Sequence, residues 1–190
     1  MRDELYENTA APQNLKTQKI FYHVYNVLFI ICCVVLGLCF FCIFYLPMQF
    51  IPMFLLIAAF AVIFGGTCFF VKRKLLLYYD YTYIGGEVRI IKVVNGKFRK
   101  KYMIFPCKEI YKVGMVGSET FEKLYYTPNI KRKIATPNGL GAKNQLYYLA
   151  VKAGDENALV VLECQEKFLS YIVDYSGKSI IEPDYGKTQA

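Results

Sequence analysis

Basic side chains are the residues of this sequence whose types and spacing are best suited to bind a ligand. One basic cluster, Lys72-Arg73-Lys74, directly follows a long apolar run. Two further clusters supply the candidate site residues Lys92, Lys97, Arg99, Lys101, Lys131, Arg132 and Lys133. Near a membrane surface, anionic lipid headgroups attract lysine and arginine by about 1 kcal/mol each. These residues therefore form a candidate anion-binding site, and the alternative is a solvated face that keeps the protein soluble.

Two turn signals predict how the first of these clusters is assembled. Gly85-Gly86 and Asn95-Gly96 each separate strand-like segments and tolerate the positive φ angles of tight hairpin turns. If both turns have two residues, cross-strand partners point to the same face of the sheet. The predicted pairs are Val94 with Lys97, Lys92 with Arg99, and Ile90 with Lys101. This register collects four cations at one end of one sheet face.

Residues for catalysis are sparse. General acid–base catalysis usually needs a histidine or paired carboxylates in a pocket. The one histidine, His23, lies at the edge of the apolar run, and the acidic residues after the run are scattered. Gly139-x-Gly141 is too short for a phosphate-binding loop. We therefore expect no enzymatic activity and no cofactor. The sequence has no ribonucleoprotein, helix-turn-helix or zinc pattern, so we expect no nucleic-acid partner.

Seven cysteines could suggest disulfides or a metal site, but five of them lie inside the apolar run. A thiol in a membrane helix usually serves as a small packing residue. No neighbouring histidine or carboxylate would complete a metal or redox site, so we expect no metal. Cys107 and Cys164 lie in the polar part of the chain, and we expect both to remain free thiols.

The elements that position the basic clusters begin with 48 consecutive residues, starting at Val24, that include no charged side chain. One membrane crossing needs about 20 apolar residues, so this run is long enough for two. Two prolines interrupt the run near its midpoint, where each removes a backbone donor. We predict membrane helices over 19–46 and 53–71, joined by an extracytoplasmic turn over 47–52.

Positive charges predict the orientation of this hairpin. Two lysines precede the first helix, three basic residues follow the second, and the connecting turn has none. Cytoplasmic segments beside membrane helices carry an excess of lysine and arginine. We therefore expect a multi-pass protein of the cell membrane with both termini cytoplasmic. Residues 1–18 would form a loose tail or an interfacial helix, 75–178 a cytoplasmic domain, and 179–190 a second tail.

Small residues are spaced to pack the two helices together. Ala58, Ala61, Gly65 and Cys68 recur at intervals of three and four, which places them on one helix stripe. The first helix offers Cys33-x-x-x-Gly37 for the same purpose. Such a stripe could also bind a larger membrane complex.

The polar part of the chain, which carries most of the net charge of +8, reads as strands followed by one helix. Period-two patterns and turn residues separate the strands. The predicted strands are Leu75–Ile84, Glu87–Val94, a third that ends near Phe105, Ile110–Val116, Lys131–Ala135, Leu146–Ala153 and Ala158–Gln165.

Helix-cap, turn and helix-period signals predict the connections between the strands and the end of this domain. A capped helical turn should lead from Ser118 to Tyr126, and residues 154–157 should separate the last two strands. An amphipathic helix is expected over Glu166–Tyr175, ending near Gly177. The fold class is therefore a membrane α-helical hairpin plus a mainly β (α+β) domain. That domain would be a sandwich or open barrel of about seven strands with a C-terminal helix.

This order, with the segment from Tyr79-Asp80-Tyr81-Thr82-Tyr83 through Lys101, resembles a known family. It is similar to the pleckstrin-homology-like (PH-like) domains that follow two membrane helices in small uncharacterised bacterial membrane proteins. The resemblance covers the hairpin and most of the domain. It implies a non-enzymatic scaffold that binds lipid headgroups, peptides or other proteins, and it transfers no residue as a known site.

Three function hypotheses follow. The first is a membrane-anchored, non-enzymatic interaction module that binds a cytoplasmic protein or peptide, for example by strand addition to a sheet edge. The second is a sensor of anionic lipid headgroups that uses the basic clusters. The third is an accessory subunit of a larger membrane complex. Salt dependence separates the first two, because charge-driven lipid docking weakens as ionic strength rises.

Overall fold

The computed structural model describes residues 5–45, 47–153, 156–183 and 185 of the chain. The chain divides into a helical unit, Asn14–Leu76, and a domain that combines residues 1–13 with residues 77–190. The predicted tail residues 1–4 and 186–190, and the first half of the predicted turn over 154–157, lie outside the described residues.

Two long helices make up the helical unit. Helix α1 spans Leu15–Tyr45, a 3-10 turn covers Met48–Phe50, and helix α2 spans Ile51–Leu75. Pro52 lies in the first turn of α2, where its missing N–H costs no hydrogen bond. Both helices are long and apolar enough to cross a membrane. They begin and end within four residues of the predicted spans.

Small side chains pack the two helices together. Ala61, Gly65 and Cys68 of α2 are buried, as the stripe predicted. A Cβ atom on Gly65 would lie 3.2 Å from the Cβ of Cys32, so α1 approaches this point closely. On α1 the prediction was wrong, because the buried residues are Cys32 and Cys39 rather than the Cys33-x-x-x-Gly37 pair. The face of α1 that meets α2 is therefore displaced by about 100° from the predicted one.

Eight strands, rather than about seven, form two four-stranded sheets in the domain. The first sheet has the order β1-β2-β3-β4 and is antiparallel throughout. The second has the order β5-β7-β8-β6, in which β6 runs parallel to β8. The strands are β1 (Leu5–Ala10), β2 (Leu77–Ile84), β3 (Glu87–Val94), β4 (Phe98–Pro106), β5 (Ile110–Met115), β6 (Ile130–Ala135), β7 (Tyr147–Ala153) and β8 (Glu156–Leu162).

Two helices complete the domain. Helix α3 spans Glu119–Tyr126, and the Ser118 hydroxyl oxygen caps it by accepting from the backbone N–H of Phe121 at 3.1 Å. Helix α4 spans Glu166–Ser176 and ends at Gly177, whose φ of 97° suits glycine. Both were predicted within one residue.

The N-terminal segment is a strand, so the expectation of a loose tail or an interfacial helix was wrong. Strand β1 pairs antiparallel with β2, with Ala10 opposite Tyr79 and Leu5 opposite Ile84. Tyr6 packs its ring against Phe168 and Tyr171 of α4. The polar sequence of this strand gives no strand signal of its own, and its partner β2 begins only after 66 intervening residues.

The main core lies between the two sheets and is closed by α4. Tyr79, Tyr81 and Tyr83 of β2 point into it from alternate positions. The fully buried Tyr81 donates its hydroxyl to the carbonyl of Ala135 and accepts from the backbone N–H of Glu163 at 3.2 Å. A second core lies on the other face of the second sheet, where α3 contributes Phe121.

The predicted C-terminal tail is part of the domain as far as it is described. Ile181 forms a parallel bridge with Val113 of β5. The buried carboxylate of Glu182 accepts from the backbone N–H of Met115 at 2.7 Å and from the hydroxyls of Ser118 and Tyr148. The domain therefore extends beyond the predicted boundary at residue 178.

Candidate functional site

The β3–β4 turn has three residues, so the predicted register of the first basic cluster was wrong. Asn95 and Gly96 have the predicted positive φ angles, and the Lys97 N–H donates to the Val94 carbonyl at 3.2 Å. The strand ladder then continues with Val94 opposite Phe98. The extra residue shifts β4 by one position from Phe98 to Lys101 and reverses which way each of these side chains points.

The corrected register divides the predicted cluster between the two faces of the sheet. Lys92 pairs with Lys100 and lies beside Tyr79 on the face that carries the core. Arg99 and Lys101 lie on the opposite face. Further along β4, Tyr102 is an extra residue in the ladder, which acts as a β-bulge and brings Met103 opposite Ile90.

The region around this turn combines charge with one exposed ring. Phe98 is 67% exposed, and Lys97, Arg99, Lys100 and Lys101 are exposed around it. We call these five residues the basic hairpin tip. The Arg99 guanidinium lies 4.0 Å from the Asp80 carboxylate, and because that arginine is largely exposed the pair offsets little of the tip's charge. Phe98 and Lys100 lie on one face of the hairpin and Arg99 and Lys101 on the other, so the tip carries cations on both sides of its exposed ring.

The tip lies at the end of the first sheet where β1 ends and β2 begins. Strand β1 ends at Ala10, five residues before α1 begins, and β2 begins at Leu77, two residues after α2 ends. Because Leu77 pairs with Val94, and Val94 with Phe98, the β3–β4 turn is at this same end. We call it the anchored end, since the chain passes from it into α1 and returns to it from α2.

The second predicted cluster is not one surface. The ammonium of Lys131 pairs with the carboxylate of Glu156 at 2.5 Å, whereas the guanidinium of Arg132 lies over the Tyr125 ring of α3. Lys133 points back toward the first sheet, where its ammonium lies 5.9 Å from the centre of the Tyr102 ring. Of the three cations, only Lys133 therefore contacts β4, the strand that carries the tip.

Two tyrosine rings lie beside Lys92 and Lys133. Burial, together with the nearby Tyr102, raises the pKa of Tyr79 to about 12. Burial also raises the pKa of Tyr102 itself. Their rings meet edge to face with centres 5.4 Å apart. A phenol is neutral at pH 7 with or without this shift, so neither tyrosine offsets the charge of Lys92 or Lys133.

A second feature is a groove along β1. It has a volume of about 790 Å³ and lies between β1 with its following residues and the junction of β8 and α4. We call it the β1 groove. Its lining residues are Tyr6, Glu7, Asn8, Thr9, Ala10, Ala11, Pro12, Gln13, Asn144, Gln145, Tyr147, Glu163, Cys164, Gln165 and Glu166.

A buried carboxylate organises one wall of this groove. Glu163 accepts from the hydroxyl of Thr136 at 2.5 Å and from the side-chain amides of Asn138 and Asn144 at 2.8 and 2.7 Å. The Asn138 side chain also accepts from the N–H of Gln13 and donates to the carbonyl of Ala11. The network therefore fixes the link between β1 and α1 to the second sheet.

The cysteines of the domain are poor nucleophiles. Burial raises the pKa of the Cys107 thiol to about 12 and also raises the pKa of Cys164. Both are therefore protonated at neutral pH, and the thiolate is the reactive form. Among the described residues, no group of three or more histidine, cysteine or acidic side chains is placed to hold a metal ion.

Sequence reasoning missed several residues of these features. Phe98 and Lys100 could have been found, because Lys-Phe-Arg-Lys-Lys directly follows the Asn-Gly turn signal. The β1 groove had no local signal, since its walls come from segments more than 130 residues apart. The basic hairpin tip and the β1 groove are the two candidate binding surfaces of the domain.

Two sheets around a shared core, closed by a C-terminal helix and joined to two apolar helices, define a PH-like α+β domain with a helical hairpin. The family model for the bacterial PH-like domain (DUF6106) matches residues 16–182. The chain therefore belongs to this family, and the resemblance seen in the sequence is confirmed. The match includes both apolar helices but begins after β1. A search of curated proteins and a search of solved structures gave no match.

Proposed function

We propose that this chain is a membrane-anchored, non-enzymatic interaction module whose PH-like domain docks on anionic lipid of the cytoplasmic leaflet. The docking surface is the basic hairpin tip. The observation that carries the proposal is the exposed ring of Phe98 at a hairpin turn that carries four exposed cations on its two faces. Aromatic rings favour the membrane interface, and each cation adds about 1 kcal/mol of attraction to an anionic leaflet.

The covalent chain keeps the tip within reach of that leaflet. Neighbouring strands are about 4.8 Å apart, so the backbone of Phe98 lies about 10 Å from that of Leu77 across two strand spacings. Leu77 follows the last residue of α2 by two positions, which adds at most about 7 Å. The last turn of α2 is also basic, with Lys72, Arg73 and Lys74.

Strand pairing supports the orientation. Strand β1 precedes the helical hairpin and β2 follows it, yet the two pair residue by residue. Both ends of the hairpin must then be on one side of the membrane, which two crossings satisfy. Basic residues flank both helices at these ends, so the positive-inside rule assigns that side to the cytoplasm.

A single tryptophan tests the docking. The chain contains no tryptophan, so Phe98→Trp introduces one emitter at the tip. The full chain would be placed in nanodiscs of neutral phosphatidylcholine, or of the same lipid with phosphatidylglycerol. We expect the emission of the introduced indole to shift to shorter wavelength, and acrylamide quenching to fall, in the anionic nanodiscs only. High salt should reverse the change, because the Debye length falls from about 10 Å at 0.1 M to about 3 Å at 1 M.

Two further variants control this experiment. Tyr126→Trp places the emitter at another exposed site, at the end of α3, and should respond equally in both lipids. Arg99→Glu with Lys101→Glu should abolish the response of the Phe98→Trp emitter, because each reversal removes about 1 kcal/mol of attraction and adds repulsion. If the indole of Phe98→Trp were equally exposed in both lipids, leaflet docking would be wrong.

One of the two other function hypotheses gains support from a specific feature. Strand β1 is an open edge beside a groove, which favours binding of a protein segment as a second function. The accessory-subunit hypothesis rested on a small-residue stripe, and Ala61, Gly65 and Cys68 of that stripe pack inside the hairpin.

A further inference from the structure

The two sheets have four edge strands, and three of them are protected. Strand β4 carries Arg99, Lys100 and Lys101, and β6 carries three consecutive cations. Basic side chains on an edge oppose the addition of another strand. The edge of β5 is covered, because Ile181 bridges Val113 and the Glu182 N–H donates to the Val113 carbonyl at 2.9 Å.

Strand β1 has neither kind of protection. Its one charged side chain is Glu7, and within the described part of the chain no strand pairs with its outer edge. An unpaired edge presents the N–H and C=O groups of alternate residues to whatever approaches it. The β1 groove runs along this edge, so an extended segment has both space and backbone partners there.

The charge of the groove is opposite to that of the whole chain. Its lining residues include Glu7, Glu163 and Glu166, and no lysine or arginine is among the described ones. Glu163 and Glu166 lie on the side of the first sheet that carries α4, and the Glu7 side chain points to the other face of β1. The described hydrogen-bond donors to Glu163 are neutral side chains. One cation lies next to the groove, since the Lys167 ammonium is 5.7 Å from the centre of the Tyr6 ring. In a chain with a net charge of +8, this lining is a distinct acidic surface.

We propose that the β1 groove binds an extended segment of another protein that carries lysine or arginine side chains. The segment adds to the first sheet as a fifth strand beside β1. Backbone hydrogen bonds to the open edge hold it in register. Side chains on one face of the segment reach the carboxylate of Glu166, and those on its other face lie beside Glu7. On the β5 edge of the second sheet, the chain's own C-terminal segment makes one bridge of this kind, between Ile181 and Val113.

Three matched probes test the proposal. The first is fluorescein-labelled Val-Lys-Val-Arg-Val-Lys-amide, the second replaces its basic residues with glutamate, and the third is the basic peptide with alternate backbone nitrogens methylated. Each would be titrated by fluorescence anisotropy into the full chain in phosphatidylcholine nanodiscs, whose neutral lipid does not attract the cationic probe. We expect the basic probe to bind at least about tenfold more tightly than the acidic probe. Methylation should weaken binding by about tenfold or more, because it removes strand hydrogen bonds without changing charge.

Matched variants locate the site. Glu7→Lys places on β1 the kind of charge that protects β4 and β6, and it should weaken binding of the basic probe by about tenfold or more. Glu166→Gln should weaken it by a smaller factor. Glu122→Lys makes the same charge change on an exposed residue of α3 and should have no effect. Arg99→Glu with Lys101→Glu should also leave probe binding unchanged, which separates this proposal from leaflet docking.

Three outcomes would overturn the proposal. Equal binding of the basic and methylated probes would exclude strand addition. Equal binding by the wild-type chain and Glu7→Lys would move the site away from β1. A homodimer that Glu7→Lys dissociates and the basic probe does not displace would show that a second copy of the chain occupies the edge.

Discussion

Buried glutamates hold two segments that look like loops or tails in sequence. Glu163 joins Thr136, Asn138 and Asn144 at the wall of the β1 groove. Glu182 attaches the C-terminal segment to β5 and α3. Removing the Glu182 carboxylate would leave the backbone N–H of Met115 and the hydroxyls of Ser118 and Tyr148 without this buried partner.

Glu182 and Gly114 form a testable pair. A Cβ atom at position 114 would overlap the carboxylate of Glu182, so Gly114→Ala must displace that side chain. We expect Glu182→Ala to lower the free energy of unfolding by roughly 3 kcal/mol, because it leaves three buried donors unpaired. Gly114→Ala should cost about 2 kcal/mol alone and much less in the Glu182→Ala background.

Thermal unfolding of the full chain in detergent, followed by the near-ultraviolet circular dichroism of its tyrosines, measures these changes. Glu122→Ala is the control, since an exposed position should change stability by at most about 0.5 kcal/mol. Additive effects of the Gly114 and Glu182 substitutions would contradict the close packing of these two residues.

At the scale of elements, β1 links the first residues of the chain to the domain beyond the helices. Its side chains alternate between exposed and half-buried, and Ala10 and Tyr6 meet the core. A fragment that starts at Leu77 therefore lacks one strand of the first sheet. Removing β1 would also leave β2 as a new edge, with Tyr79 and Tyr83 less covered.

Two soluble versions of the domain test the contribution of β1. In the first, a short glycine-serine linker replaces residues 14–76, and because Ala10 lies opposite Tyr79 this linker spans a hairpin-like distance. The second begins at Leu77. We expect the first to be more stable by about 3 kcal/mol or more in urea unfolding, since the Tyr6 contacts with Phe168 and Tyr171 and a full strand ladder are retained.

Tyr6→Ala in the linked version is the matched control, and it should lose part of this added stability without removing the strand. Amide resonances of both versions in two-dimensional NMR spectra would show whether each is folded. Equal stability of the two versions would mean that β1 contributes nothing to the domain.

At the scale of the whole molecule, one β-sheet combines a strand that precedes the helical hairpin in the chain with strands that follow it. Strands β1 and β2 are separated by 66 residues that include two helices long enough to span a membrane. If the two helices cross a membrane, the first sheet can form only when the segments before α1 and after α2 are on the same side of that membrane. Pairing of β1 with β2 is thus a constraint on insertion as well as on folding.

Membrane topology is the corresponding prediction. Epitope tags at the N- and C-termini should both be protected from a protease added outside intact cells. A tag inserted in the 47–52 turn should be cleaved, because this turn would be extracytoplasmic. The reason is the excess of basic residues at the two domain-side ends of the hairpin. Cleavage of either terminal tag, with cell lysis excluded by a cytosolic marker, would contradict the proposed orientation.

The sequence alone determined the features that depend on local patterns. The two long apolar helices, the strands from β2 to β8 and helix α4 follow from hydrophobic period, turn dipeptides and prolines, which act over a few residues. Both ends of α4 and the Ser118 cap of α3 were predicted for the same reason. The PH-like class followed from the order of these elements.

Tertiary structure decided what depends on pairing between distant segments. One extra residue, Lys97, in the β3–β4 loop moved Lys92 and Arg99 to opposite faces, and turn length is not encoded by the Asn-Gly signal alone. The parallel pairing of β6 with β8 and the docking of Glu182 also join segments far apart in the chain. Strand β1 has too few apolar residues to be recognised as a strand from its sequence. It forms a strand because it pairs with β2 and because Tyr6 packs against the Phe168 and Tyr171 rings of α4.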